Sequence, residues 1–127
     1  MVEGQADEAM PCIVLIEDDH SVRLGLEVLL NSTGIRVEAG VNGQEVVQRI
    51  LETKCVPTAI VADWKLGSTT AKDEVPKVLE VAPNIPLVVV TTGDTSPEVR
   101  KQVEELGWRL LIKPYHPREL WALLQNP

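Results

Sequence analysis

Four groups of chemically capable residues each stand directly behind a short aliphatic run. "CIVLI" (12–16) ends in Glu17-Asp18-Asp19, "AIVA" (59–62) in Asp63, "LVVVT" (87–91) leads through Thr91-Thr92 to Gly93, and "LLI" (110–112) ends in Lys113-Pro114. Three acids in a row behind a buried run need a reason. Two carboxylates about 4 Å apart repel by about 1 kcal/mol in water and about 4 kcal/mol at an effective dielectric of 20. A hard divalent cation removes that penalty, and Mg²⁺ favours a few carboxylate oxygens completed by water. The acid run therefore reads as a cation site. Asp63 has a second capability, because a carboxylate oxygen can attack a phosphoryl group and form an aspartyl phosphate. A cation and a fixed Lys113 would neutralise the charge on the transferring oxygens, and a Thr hydroxyl could donate to the attached group. The chain has no GxxxxGK[ST] or GxGxxG loop, which argues against an ordinary nucleotide-phosphate cradle.

For these groups to meet, the runs must end on one edge of one sheet. The continuous runs, rich in Val and Ile, suit strands buried on both faces, while "IRVEA" (35–39) alternates as a half-exposed edge strand does. Helical stripes lie between them. Val22, Leu26, Leu29 and Leu30 make the first, with Ser21 as N-cap and Gly34 as the stop. Val46, Val47, Ile50 and Leu51 make the second. Val99, Val103 and Leu106 make the fourth, opened by Ser96-Pro97 and closed by Gly107. Leu120, Leu123 and Leu124 make the fifth, with Pro117 in its first turn. The third, "KDEVPKVLEV", has room for only two or three turns and tolerates Pro76 only near its start. The order βαβαβαβαβα with short connections predicts an α/β fold with a parallel sheet covered on both faces, whose chemistry gathers at the carboxyl ends of the strands.

The totals narrow the function. The 127 residues suffice for one domain with a real core. Residues 1–10 read as a short disordered leader and 11–127 as the domain. A formal net charge of −7, with twelve scattered Lys and Arg, gives no basic face for nucleic acid. Apolar runs too short to span a bilayer and a polar, acidic N-terminus argue for a cytoplasmic protein with no membrane contact. Cys12 and Cys55 lack CxxC spacing and an adjacent His, so they read as two idle thiols in a reducing compartment.

The arrangement resembles the receiver domain of two-component response regulators. "IVLIEDDHSVR" is similar to that family's first strand, acidic pair and first-helix start, "AIVADWKL" to its phospho-acceptor strand, "VVVTTGD" to its switch-hydroxyl strand, and "LLIKPY" to the Lys-Pro ending its fifth strand. The resemblance extends from Pro11 to Leu124. It implies a flavodoxin-like (βα)5 three-layer sandwich, a parallel five-stranded sheet of order 2-1-3-4-5. It also implies that Glu17 and Asp18 hold Mg²⁺, with Asp19 at the edge of the site, and that Asp63 accepts a phosphoryl group from a phosphohistidine. The backbone carbonyl of Lys65 would be a further metal ligand, Lys113 would pair with the phosphoryl oxygens, and a cis bond would join Lys113 to Pro114. Thr92 is the implied switch hydroxyl, directly before Gly93, with Thr91 as the alternative.

Such a domain is a phospho-acceptor rather than an enzyme. Its implied partners are a sensor histidine kinase or phosphotransfer protein, a downstream protein on the face of helix four, strand five and helix five, and a second copy of the chain. The stretch from Thr91 to Leu120 resembles in particular the receivers at the C-terminal end of hybrid histidine kinases, so a free-standing regulator and an excised receiver both remain open. Two features depart from the family pattern. "KLGSTTAKDEV" lacks the usual Pro and Asp-Gly pair after the acceptor, and Leu110 fills the place of a switching aromatic. They leave a second reading, a non-phosphorylated scaffold working by protein contacts. A flavodoxin-type electron carrier would need a phosphate-binding loop where this chain has acids.

Overall fold

The computed structural model describes residues 10–125, so most of the expected leader, and residues 126 and 127, lie outside the described residues. Five parallel strands form the sheet: β1 (Pro11–Ile16), β2 (Val37–Gly40), β3 (Val56–Asp63), β6 (Val88–Thr92) and β7 (Arg109–Ile112). Their order is β2-β1-β3-β6-β7, which is the order 2-1-3-4-5 when only these strands are counted. Between β3 and β6 the chain adds a small antiparallel ribbon, β4 (Lys65–Leu66) and β5 (Thr69–Thr70). The helices are α1 (His20–Ser32), α2 (Gly43–Thr53), α3 (Ala71–Val81), α4 (Pro97–Glu105) and α5 (Pro117–Gln125).

Alternation along the strands builds two cores. Val14, Ile16, Ile60, Ala62, Val88 and Val90 pack under Val46, Ile50, Val75, Val78, Val99 and Val103 of α2, α3 and α4. Ile13, Leu15, Ala59, Val61, Val89 and Leu111 point the other way and pack under Leu30 of α1 and Leu120 of α5. Both faces of the central strands are thereby dry, which is why they read as unbroken apolar runs. β2 is more buried than its alternating sequence suggests: Glu38, Ala39 and Gly40 are all covered, and Arg36 Nε meets the Glu38 carboxylate at 3.2 Å.

The ends of the helices show their local chemistry. α1 begins at His20 because Asp19, not Ser21, is its N-cap, with the Asp19 side chain accepting from the Val22 N–H at 3.0 Å. Gly34 (φ 85°) and Gly107 (φ 75°) follow α1 and α4 in the left-handed conformation that glycine adopts most readily. Ser96 caps α4 with Pro97 at its first turn. In α3 Pro76 is the sixth residue rather than an early one. The helix starts sooner than expected because the ribbon brings Ala71 back beside Trp64, just past the end of β3, where its N–H donates to the Trp64 carbonyl at 2.9 Å.

The cysteines correct the sequence reading. Cys12 and Cys55 form a disulfide with Cα atoms 5.9 Å apart. Both are buried at the amino ends of β1 and β3, where the parallel pairing sets Pro11 beside Val56. Their proximity depends on the register of two strands 43 residues apart, which spacing along the chain does not reveal.

Candidate functional site

The carboxyl edge of the sheet brings the expected residues together. Ile16 pairs with Ala62, Asp63 with Thr91, and Thr92 with Ile112, so strand ends separated by up to a hundred residues finish at one level. Past that level the carboxylates of Glu17, Asp18 and Asp63 each offer an oxygen within 4.8 Å of the others. Lys113 Nζ stands 3.2 Å from Asp63 Oδ2 and 3.9 Å from Glu17 Oε1. The Lys113–Pro114 peptide is cis. Asp63, Lys65, Thr92, Gly93, Asp94 and Lys113 line one cleft beside this cluster.

Asp19 does not join the three acids. Its side chain caps α1, and its backbone N–H donates to Glu17 Oε2 at 3.2 Å, so it orients a neighbour's carboxylate. The third acid of the opening run is therefore accounted for by the helix. Of the two threonines, Thr92 lines the cleft, and its Oγ1 accepts from the Asp94 N–H at 2.9 Å. Thr91 is as buried as Thr92, and its carbonyl accepts the Trp64 N–H at 2.8 Å.

The electrostatics are those of acids crowded at a dry edge. Burial pushes the Glu17 carboxyl up to about 7, helped by the Asp63 charge and opposed by the Asp19 N–H and Lys113. Burial also raises Asp63, against the pull of the Lys113 ammonium. Glu17 is 3% exposed while Asp18 is open to solvent, so the cluster has one buried wall and one wet one. Such a set suits Mg²⁺, which keeps several waters and takes few protein oxygens. A cation here would offset both the burial and the smaller mutual repulsion that lift Glu17 and Asp63, and this donor chemistry is the fit between the residues and the metal.

The segment after Asp63, which departs from the family pattern, is compact. Trp64 and Leu66 are buried, Lys65 pairs with Thr70, and Gly67 (φ 67°) makes the turn. An added Cβ on Gly67 would lie 3.9 Å from Asp18 Oδ2, so the turn passes beside the acids. Leu110 is half-buried and packs, like Trp108, on the core under α2, α3 and α4.

Two residues near the site were not singled out by the sequence. The Arg23 guanidinium donates to the Glu17 carbonyl at 2.9 Å; its position one helical turn beyond Asp19 was the available signal. Tyr115, two residues past Lys113, has its phenol pushed up by burial and by the charges of Glu17 and Asp63. His20 and His116 belong to helix starts: His20 Nδ1 lies 3.0 Å from Arg23 Nη2, and His116 Nδ1 accepts from the Arg118 N–H. Trp121 is half-buried on α5, lining a groove with Leu29 and Leu30 of α1.

A doubly wound parallel sheet with acids, a hydroxyl and a lysine gathered at its carboxyl edge defines the class of the molecule. Residues 13–125 match the model of the response regulator receiver domain, and the chain belongs to that family. It is 28% identical over 116 residues to the transcriptional regulatory protein AfsQ1 of Streptomyces coelicolor, an alignment covering 91% of this chain and 50% of AfsQ1. The chain thus spans about half the length of that relative. Among solved structures it superimposes on a response regulator receiver protein from Pseudomonas putida with a TM-score of 0.79 at 21% identity, covering 94% of this chain and 99% of the other. The chemotaxis protein CheY4 of Vibrio cholerae gives 0.77 at 24% identity, covering 93% and 98%. At these identities the superpositions speak for the fold. Family and fold together make this a two-component receiver domain.

Proposed function

We propose that Asp63 accepts a phosphoryl group from the phosphohistidine of a sensor kinase or phosphotransfer protein. An Asp63 oxygen forms the new O–P bond as the N–P bond to the imidazole breaks, and the imidazole nitrogen leaves with the electron pair. The observation that carries this reading is the pairing of Asp63 with Lys113 at 3.2 Å, inside a group of three carboxylates. Glu17, Asp18, Asp63 and the Lys65 carbonyl would hold Mg²⁺, which supplies charge neutralisation at the phosphoryl oxygens. Lys113 holds one phosphoryl oxygen by charge, and the Thr92 hydroxyl turns from the Asp94 N–H to donate to another. Phosphorylation adds nearly two negative charges at one residue. The movement of Thr92 and Gly93 carries that change to the face of α4, β7 and α5, where a downstream protein or a second copy of the chain reads it. Leu110 cannot supply a ring that changes rotamer, so in this domain the loop after Thr92 carries the switch.

We place the domain in the cytoplasm with its kinase; among the described residues no helix is long and apolar enough to cross a membrane. The Cys12–Cys55 bond lies at the opposite edge of the sheet, so acceptor chemistry does not depend on it.

The test is Trp fluorescence during titration with Mg²⁺ and then beryllofluoride, since Trp64 adjoins the acceptor. A saturable Mg²⁺ response followed by a beryllofluoride response that Asp63→Asn abolishes is the expected result. The absence of both responses in the parent would leave the scaffold reading in its place.

A further inference from the structure

We propose that Arg23 is a positioning residue that sets the acid pair in place; this rests on the reading of Glu17, Asp18 and Asp63 as a cation site. The last sheet bond on this side is the Glu17 N–H to the Gly40 carbonyl at 3.0 Å. Beyond it β1 leaves the sheet, and the Glu17 carbonyl is taken by Arg23 Nη1 at 2.9 Å. The second arm, Nη2, lies 3.0 Å from His20 Nδ1, a bond in which the ring nitrogen accepts. The same residue closes the first turn of α1 through its backbone N–H, which donates to the Asp19 carbonyl at 2.9 Å. Asp19 in turn holds Glu17 Oε2 by its own N–H at 3.2 Å.

Arg23 therefore ties both ends of the segment that carries Glu17, Asp18 and Asp19. The planar guanidinium matters because two donors in one rigid plane span a strand end and a helix start together. A loose turn would let the Glu17 and Asp18 carboxylates spread, and a cation requiring near-octahedral oxygens at short distance is sensitive to such spreading. Groups that orient metal ligands without touching the metal typically contribute about 10–100-fold to affinity.

Charge and position make opposite predictions, so they can be separated. Arg23 brings a positive charge to the backbone of the segment that carries Glu17 and Asp18, and removing that charge alone would strengthen Mg²⁺ binding. Removing the clamp would weaken it. For Arg23→Met, which keeps much of the stem, the expected result is a rise in the Mg²⁺ dissociation constant of about tenfold, followed by Trp64 fluorescence. Metal-free protein gives an independent reading: hydrogen exchange at the Asp19 amide should quicken about tenfold as its bond to Glu17 loosens. Arg23→Lys keeps the charge but not the fork, and should fall between parent and Met in both measurements. Ile50→Val on α2 serves as the stability control, lowering the unfolding midpoint without moving either value. A Mg²⁺ constant that falls or stays within twofold in Arg23→Met, an unchanged Asp19 amide, or an equal loss in Ile50→Val would overturn the proposal. If the parent itself shows no saturable Mg²⁺ response, the cation reading fails, and an Asp19 amide that fails to quicken in Arg23→Met then overturns the clamp as well.

Discussion

Taking the protein from pH 8 to pH 6 should weaken Mg²⁺ binding about tenfold, and Glu17 is the residue responsible. Its carboxyl is pushed up to about 7, chiefly by burial, so proton and cation compete for it in the neutral range. With one competing proton the apparent constant scales as 1 + 10^(pKa − pH), giving factors of about 1.1 at pH 8, 2 at pH 7 and 11 at pH 6. Asp63 is raised for the same first cause and steepens the dependence at the acid end. The assay is a Mg²⁺ titration followed by Trp fluorescence at each pH and constant ionic strength. Glu17→Gln should bind more weakly throughout and lose most of the dependence between pH 8 and 6. A dissociation constant that is flat over this range in the parent would refute the reasoning, because a carboxylate ionised throughout would have no proton to exchange.

The raised Glu17 carboxyl also fixes the sign of a stability effect in metal-free protein. In the folded chain Glu17 holds its proton up to about pH 7, whereas unfolded it ionises near 4.5. Between those values the folded state binds more protons, so this contribution is fully present below pH 4.5 and is lost as pH rises through 7. Its upper limit is about 3–4 kcal/mol, since each pH unit between the folded and unfolded values is worth about 1.4 kcal/mol. Urea unfolding in a chelator should therefore show stability falling from pH 5 to pH 8. Saturating Mg²⁺ should restore it, adding about 2.7 kcal/mol at a hundred times the dissociation constant.

Three further outcomes can be checked on the same protein. Lys65 shares the cleft with Asp63, and its resemblance to the receiver pattern implies a position that affects the lifetime of the phosphoryl group. Lys65→Ala should change the decay of phosphorylated protein severalfold, and an unchanged lifetime, followed by intact mass, would dismiss its ammonium as a barrier to the attacking water. Reducing the Cys12–Cys55 bond should lower stability by about 4 kcal/mol, the loop-entropy value for a cross-link spanning some forty residues, while leaving the Mg²⁺ constant within twofold. Gly43→Ala should destabilise by about 1–3 kcal/mol in urea unfolding, because its new Cβ would collide with the Glu74 carbonyl and drive α2 from α3.

The sequence disclosed most of the sheet because burial on both faces removes polar residues from the central strands, leaving runs such as "CIVLI" and "AIVA". It pointed to the cluster of Glu17, Asp18, Asp63 and Lys113 for a related reason: acids directly behind such runs are costly unless something offsets their charge. Features that depend on contact between distant segments stayed hidden. The disulfide needs the register of β1 against β3. Ser21 looks like the cap of α1 when the whole acid run is given to the cation, whereas Asp19 is the residue whose extended backbone lets a side chain reach the Val22 N–H. The β4–β5 ribbon leaves no mark in the sequence because its strands are two residues each, too short for any period to show.

That ribbon bears on how the domain manages without the family's usual sequence after Asp63. The ends of the ribbon are fixed by two backbone bonds, Trp64 N–H to the Thr91 carbonyl and Ala71 N–H to the Trp64 carbonyl. One turn into α3 the buried Glu74 accepts from the Gly43 N–H at 2.9 Å and from Lys77 Nζ at 3.1 Å. Burial alone would raise Glu74, yet these donors bring it below the ordinary carboxylate range, so it stays charged while holding the start of α2. The segment from Lys65 to Thr70 is thus pinned to the sheet at its base, and α3 is pinned to α2 just beyond it. A backbone restrained at both ends can present the Lys65 carbonyl at a constant place without a proline or an Asp-Gly pair. The departure from the family's sequence is therefore local, and hydrogen bonds to the sheet and between α2 and α3 hold the chain on either side of it.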